Sequence, residues 1–155
     1  MYSQKDLRWR WTQLGNCKGS TIGSSGCLLT VMAQLLTNHG IKINPGELNK
    51  KLLITGNYRD GCLIPDNAIE KLYPDQVKYL GRKTSLTHMF CEPGEEVILK
   101  VDSSKSAGIQ RHFVLLKYIV NGKAIIADPL GGRVGDLNKW YGNPLAIIKY
   151  RFKGV

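Results

Sequence analysis

From residue 27 the chain reads CLLTVMAQLLTN, and apolar side chains fill most of the surface that a helix there would present. Leu28, Leu29, Val31, Met32, Ala33, Leu35 and Leu36 leave only a narrow polar strip. That is the pattern of a helix buried nearly all round, at the centre of a domain. Asn38-His39-Gly40 closes it, since glycine takes the left-handed cap conformation. Asn44-Pro45 reads as the N-cap and first-turn proline of a short helix through Leu53. Pro65 opens a further helix, IPDNAIEKLY, that ends before Pro74. Beyond this point the pattern changes. EVILKV (96–101), HFVLLKYIV (112–120), KAIIAD (123–128) and LAIIKYRF (145–152) are β-branched or apolar runs bounded by Gly, Pro and Asn. Helices first and strands later predict an α+β fold, in which the central N-terminal helix packs on an antiparallel sheet.

One hairpin bears on chemistry. In YIVNGKAII, Asn121-Gly122 is a strong turn signal. A two-residue turn pairs Val120 with Lys123 and Leu115 with Asp128, which sends His112 and Asp128 to opposite faces. A three-residue loop with Gly122 in a bulge shifts the register by one, sets Val114 against Asp128, and brings His112 and Asp128 to one face. The sequence permits both.

Composition narrows the setting. The 155 residues fit one domain, 1–155, and 43% hydrophobic content suffices for a core without disulfide staples. No apolar run approaches the roughly 18 residues of a membrane span. MYSQKDLRWRW carries charge where a signal peptide needs its apolar segment. The expectation is therefore a monomeric chain made in the cytoplasm without a signal peptide, released by lysis or carried in a phage particle. Reduced thiols follow from the same reading, although pairing among Cys17, Cys62 and Cys91 stays open. No CxxC pair is present, so neither a metal nor another cofactor is expected. The net charge of +10 favours an anionic partner. Lacking zinc-finger spacing, an RNP-type strand or a Gly-Lys phosphate loop, the chain points away from nucleic acid and toward an anionic cell-wall polymer.

Cys27 opens the central helix, where unpaired N–H groups and the helix dipole favour a thiolate, and Gly26 beside it leaves room for a substrate chain. A thiolate nucleophile also needs a histidine to store and return the proton, and a carboxylate to orient that histidine. His112 at a strand start and Asp128 at the end of the adjoining strand fit those roles. His39 lies at the far end of the Cys27 helix, about 18 Å away, and His88 falls in a loop or short helix.

The segments YSQKDLRWRWTQLGN, TIGSSGCLLTVMAQLL and RHFVLLKYIVNGKAIIADPLGG together resemble papain-like cysteine peptidases of the bacteriocin-processing-peptidase-like group. The likeness runs from Tyr2 to about Gly132. It implies a papain-like fold with Cys27 as nucleophile, His112 as general base and acid, Asp128 as orienting residue, and a peptide or amide bond as substrate. It also implies that Gln4, in the Gln-x-Asp motif, donates to the oxyanion. Gln13 is a rival closer to Cys27, which Gln4 precedes by 23 residues. Ser25 stands where the group often has a bulky residue, and so forms part of the cleft wall. Trp9, Trp11 and Trp140 either line a substrate groove or pack in the core. The expected activity is hydrolysis of a peptidoglycan stem peptide. Cleavage of a protein or leader peptide, or an inactive binding module with a basic surface, are the alternatives.

Overall fold

A computed structural model describes residues 1–104 and 111–154. Six strands form one sheet: β1 (Val77–Lys83), β2 (Glu95–Asp102), β3 (Arg111–Val120), β4 (Lys123–Asp128), β5 (Arg133–Asp136) and β6 (Ala146–Phe152), in the order β1-β6-β2-β3-β4-β5 with antiparallel pairing throughout. Helices α1 (Ile22–Ser25), α2 (Cys27–Asn38), α3 (Pro45–Ile54) and α4 (Ala68–Leu72) precede the sheet, and α5 (Leu137–Trp140) lies between β5 and β6. The architecture is α+β. Among the described residues no helix is long and apolar enough to cross a membrane.

The expected helices form for the expected local reasons. In α2, Leu29 to Ala33, Leu35 and Leu36 are buried, and the helix packs on β3 and α3. In α3, Asn44 accepts from the Glu47 N–H at 2.8 Å while Glu47 Oε1 receives the Asn44 N–H at 3.0 Å, a reciprocal cap ahead of Pro45. The helix expected from Pro65 begins three residues later, because Pro65 spends its carbonyl on the turn that leads in, accepting from Ala68 N–H. The segment just before Cys27 forms α1, capped by Thr21.

Two strands, β1 and β5, are not evident as apolar runs. The buried residue of β1 is Val77, and β5 has none. Both are edge strands, defined by their neighbours more than by their own side chains. The inner strands read as continuous apolar runs because both faces are covered. Ile98, Leu115, Ala127, Ile148 and Tyr150 join the helical core, whereas Val97, Leu99, Val114, Leu116, Ile126 and Ile147 form a second cluster with Met89 and Leu137.

The β3–β4 hairpin combines features of both readings. Its turn has two residues, with Asn121 at φ 50° and Gly122 at φ 73°, and it pairs Val120 with Lys123. The register nonetheless shifts by one between Leu116 and Tyr118, leaving Lys117 as the extra residue and pairing Leu115 with Ala127. Continued by one step, that register sets Val114 against Asp128. His112 and Asp128 therefore share a face.

The expectation of reduced thiols fails for one pair, among the cysteines whose pairing the sequence leaves open. Cys17 and Cys62 are joined by a disulfide, with α-carbons 5.5 Å apart, while Cys27 and Cys91 are free. Two loops 45 residues apart meet through the Asn16 N–H on the Gly61 carbonyl at 2.7 Å, a proximity the spacing of cysteines does not reveal.

Candidate active site

Cys27 sits at the first position of α2 because the backbone breaks at Gly26. The Gly26 N–H closes α1 on the Ile22 carbonyl, and the Gly26 carbonyl receives both the N–H and the hydroxyl of Thr30. A β-carbon at Gly26 would stand 2.5 Å from the Ile22 oxygen and 2.8 Å from its α-carbon. Gly26 is therefore required by the tight α1–α2 junction, and the space its missing side chain leaves is occupied by Ile22, not by a substrate groove. The junction gives α2 a fresh first turn with its own N–H groups, and Cys27 stands at its start.

Arg111 and His112 begin β3 and Asp128 ends β4, so antiparallel pairing places them at one end of the hairpin. His112, 7% exposed, bonds through Nε2 to Asp128 Oδ1 at 2.8 Å. The same ring lines one cleft with Cys27, whose thiol adds to its proton affinity, and Nδ1 is the nitrogen that Asp128 does not engage. Asp128 is fully buried, yet its carboxylate is satisfied on both sides. Oδ1 also accepts from the Leu130 N–H at 2.9 Å, and Oδ2 accepts from the Tyr141 hydroxyl and from Arg133 Nη2 at 3.4 Å.

These contacts set the charges. Burial works against protonated His112, but Asp128 and Cys27 outweigh it and raise the imidazole from 6.5 to about 9. Burial likewise disfavours the Asp128 carboxylate, and His112, Tyr141 and the Leu130 N–H more than offset it, holding the group below the usual range. The Tyr141 phenol is pushed up to about 12 by burial and by the carboxylate it donates to. Sequence reasoning did not find Tyr141 or Arg133. They follow Asp128 by 13 and 5 residues with no motif around them, and only the β4–β5 pairing and α5 bring them back.

A polar cleft of about 360 Å³ joins the site to solvent, lined by Gln4, Ser24, Ser25, Cys27, Arg111 and His112 among others. Gln4 reaches it because the N-terminal segment clasps the rest of the molecule. Gln4 N–H donates to the Pro129 carbonyl at 2.8 Å, and Tyr2 N–H donates to Gln34 of α2 at 2.7 Å. The Gln4 side chain is 4% exposed; Nε2 donates to the Gly23 carbonyl at 3.1 Å, and Oε1 has no hydrogen-bond partner among the described residues. The 23-residue separation from Cys27 is thus closed by the fold. Gln13, the rival, instead pairs with Thr21 across a bridge and donates to the Gly15 carbonyl at 3.0 Å.

Of the two roles open to the tryptophans, packing holds for Trp9 and Trp140. Trp9 is 2% exposed in the helical core, edge-on to Tyr2 and donating to the Ser3 carbonyl at 2.8 Å. Trp140 lies across Gly135 of β5 under the Arg133 guanidinium, packed on the second cluster. Both indoles are the large apolar surfaces that cover an otherwise open sheet edge or core end. Trp11 is exposed beside Arg10 and does not line the cleft. His39 bonds to Glu96 at 3.0 Å and stacks on Phe152, and His88 lies in the single turn of 3-10 helix Leu86–Met89, so neither joins Cys27. Among the described residues no cluster of His, Cys, Asp or Glu could hold a metal ion. Comparison with protein-family models, curated proteins and solved structures finds no match.

Proposed function

We propose that this protein is a thiol hydrolase with a papain-like fold that cleaves a peptide or amide bond through Cys27, His112 and Asp128. The observation that carries the reading is the placement of one buried imidazole between a fully buried carboxylate and the sulfur at a helix N-terminus. A module that only binds has no use for this arrangement.

In the forward step the Cys27 sulfur attacks the substrate carbonyl carbon. The carbonyl electron pair moves to oxygen, and the Cys27 N–H and the Gln4 amide hydrogen not used on the Gly23 carbonyl donate hydrogen bonds to that oxyanion. Such donors stabilise the tetrahedral intermediate by about 3 kcal/mol each. Protonated His112 gives its proton to the leaving amine, the C–N bond breaks and a thioester remains. Water, losing one proton to His112, then attacks the thioester carbon, the C–S bond breaks, the acyl group leaves as a carboxylic acid, and the Cys27 thiolate and protonated His112 are restored. Asp128 keeps the ring oriented and the imidazolium stabilised throughout.

The substrate class that suits a chain of net charge +10 is a peptide embedded in an anionic matrix, and the peptidoglycan stem peptide is the leading case. A protein or leader peptide is the competing substrate. The deciding experiment is iodoacetamide alkylation at about pH 6, mapped by peptide mass spectrometry, on wild type and His112→Ala. An unperturbed thiol is almost wholly protonated there and reacts slowly. Cys91 supplies the control, because burial pushes its thiol up. Fast alkylation of Cys27 that slows in His112→Ala supports the ion pair, and purified peptidoglycan and peptide substrates then separate the two substrate classes. If Cys27 reacts no faster than Cys91, the nucleophile assignment fails.

A further inference from the structure

A second recess, of about 150 Å³, also borders Cys27. Its wall is made by Leu14, Leu28, Leu63, Ile64 and Phe113, and Ser25 and Cys27 line both it and the polar cleft. Anything lodged there therefore adjoins the sulfur. An apolar cavity of about this volume takes up a benzene-sized group.

The recess is shaped by two loops that the disulfide ties together. Leu14 comes from the segment before α1, and Leu63 and Ile64 follow Cys62 directly. Asp60 at φ 48° and Gly61 at φ 89° reverse the chain, with backbone bonds between Arg59 and Leu63 closing the turn. A β-carbon at Gly61 would stand 2.9 Å from Cys17 Sγ, so the turn packs straight onto the bridge. The base is held independently. Asn49 bonds Gly15 N–H and the Gln13 carbonyl at 3.0 Å each, and accepts from Tyr58. Loss of the bridge would loosen the rim, where Leu63 is 58% exposed, and leave the base in place.

We propose that this recess holds an apolar side chain of the substrate next to the scissile bond, and that the Cys17–Cys62 disulfide sets its shape, making the grip on that side chain depend on redox state. The proposal rests on Cys27 being the nucleophile. The bridge forms by exchange with a low-molecular-weight disulfide such as glutathione disulfide. The Cys17–Cys62 bond forms as the glutathione S–S bond breaks, two electrons pass to glutathione, and it leaves as two thiols carrying the two protons. Selectivity for apolar residues is thereby switched on in an oxidising environment and relaxed in a reducing one.

The probes are peptidyl chloromethyl ketones, on which a thiolate displaces chloride to form a thioether. Acetyl-Leu-Gly and acetyl-Gly-Leu chloromethyl ketones are each compared with the analogue bearing Ser for Leu. Rates at Cys27 are read by peptide mapping and normalised to iodoacetamide, which is too small to need the recess. In the oxidised protein one Leu probe is expected to react about tenfold or more faster than its Ser partner, the discrimination a hydrophobic pocket provides. After reduction with dithiothreitol, and in Cys17→Ser/Cys62→Ser, the ratio is expected to fall to about 2–3, below the discrimination a formed hydrophobic pocket gives. Leu63→Ser, which keeps the bridge, should lower the ratio as well, and it carries the test if the double variant does not fold. No Leu preference in the oxidised protein overturns the pocket, and a preference unchanged by reduction overturns the redox control. Slow iodoacetamide alkylation of Cys27 would instead mark failure of the hydrolase reading itself.

Discussion

His112 draws its altered proton affinity from two neighbours that burial alone would oppose, and its consequences can be measured. Its pKa is raised in the folded state, so the stability it contributes is fully present below about 6.5 and is lost as pH rises through about 9. The difference in unfolding free energy between wild type and His112→Ala should therefore narrow from pH 6 to pH 10, measured by urea denaturation at each pH. A gap that widens over that range would contradict the sign. Activity should decline along an alkaline limb near the same pH, because the leaving amine then finds His112 without its proton. Tyr141 acts one step further out, through Asp128. Tyr141→Phe removes one buried donor from a charged acceptor and should cost about 1–3 kcal/mol of stability. It should also lower kcat with little change in KM, since the phenol hydroxyl donates to the carboxylate that positions the ring and accepts from Arg133, and it does not line the cleft.

At the scale of the element, one extra residue determines whether the site exists. The tight Asn121-Gly122 turn alone would put His112 and Asp128 on opposite faces, and the bulge at Lys117 reverses that outcome. Deleting Lys117 is expected to close the bulge while Leu116 stays opposite Ile126, so Val114 still meets Asp128 and alkylation of Cys27 at pH 6 remains fast. Inserting one alanine after Leu115 moves Leu115 opposite Asp128, turns His112 to the other face, and should reduce Cys27 to the rate of Cys91. The same peptide-mapping measurement reads both variants. If both behave alike, register is not what joins the histidine to the aspartate. The α1–α2 break shows a related economy: Ile22 fills the space beside Gly26, and the thiol gains a helix N-terminus without any chain reversal at Cys27.

For the whole molecule, charge and closure matter most. The excess of 22 basic over 12 acidic residues should hold the protein on an anionic wall at low salt and release it at high salt. Screening shortens from about 10 Å at 0.1 M to about 3 Å at 1 M. Pelleting with purified cell walls across that range should show the bound fraction falling severalfold, and binding that ignores salt would exclude the charge as the cause. Closure comes from the N-terminal segment, which pins α2 through Tyr2 and the loop after Asp128 through Gln4. That clasp, together with the disulfide, connects parts of the chain that lie far apart in sequence around the cleft that contains Cys27 and His112.

The sequence by itself determined the elements whose signals are local. The apolar run from Leu28 to Leu36 dictates a central helix, Asn44-Pro45 its short successor, and the four inner or neighbouring β-branched runs dictate strands, because each of those patterns already contains the side chains that will be buried. It also singled out Cys27, His112, Asp128 and Gln4, residues the structure brings to one site. Tertiary structure alone decided the rest. The edge strands β1 and β5 owe their form to partners rather than to their own composition, and the Lys117 bulge is a compromise between a turn that wants one register and a two-sided core that wants another. Trp9 and Trp140 went to packing, Gly26 to a backbone junction, and Cys17 to Cys62, since what a side chain touches depends on chain segments that no local pattern specifies.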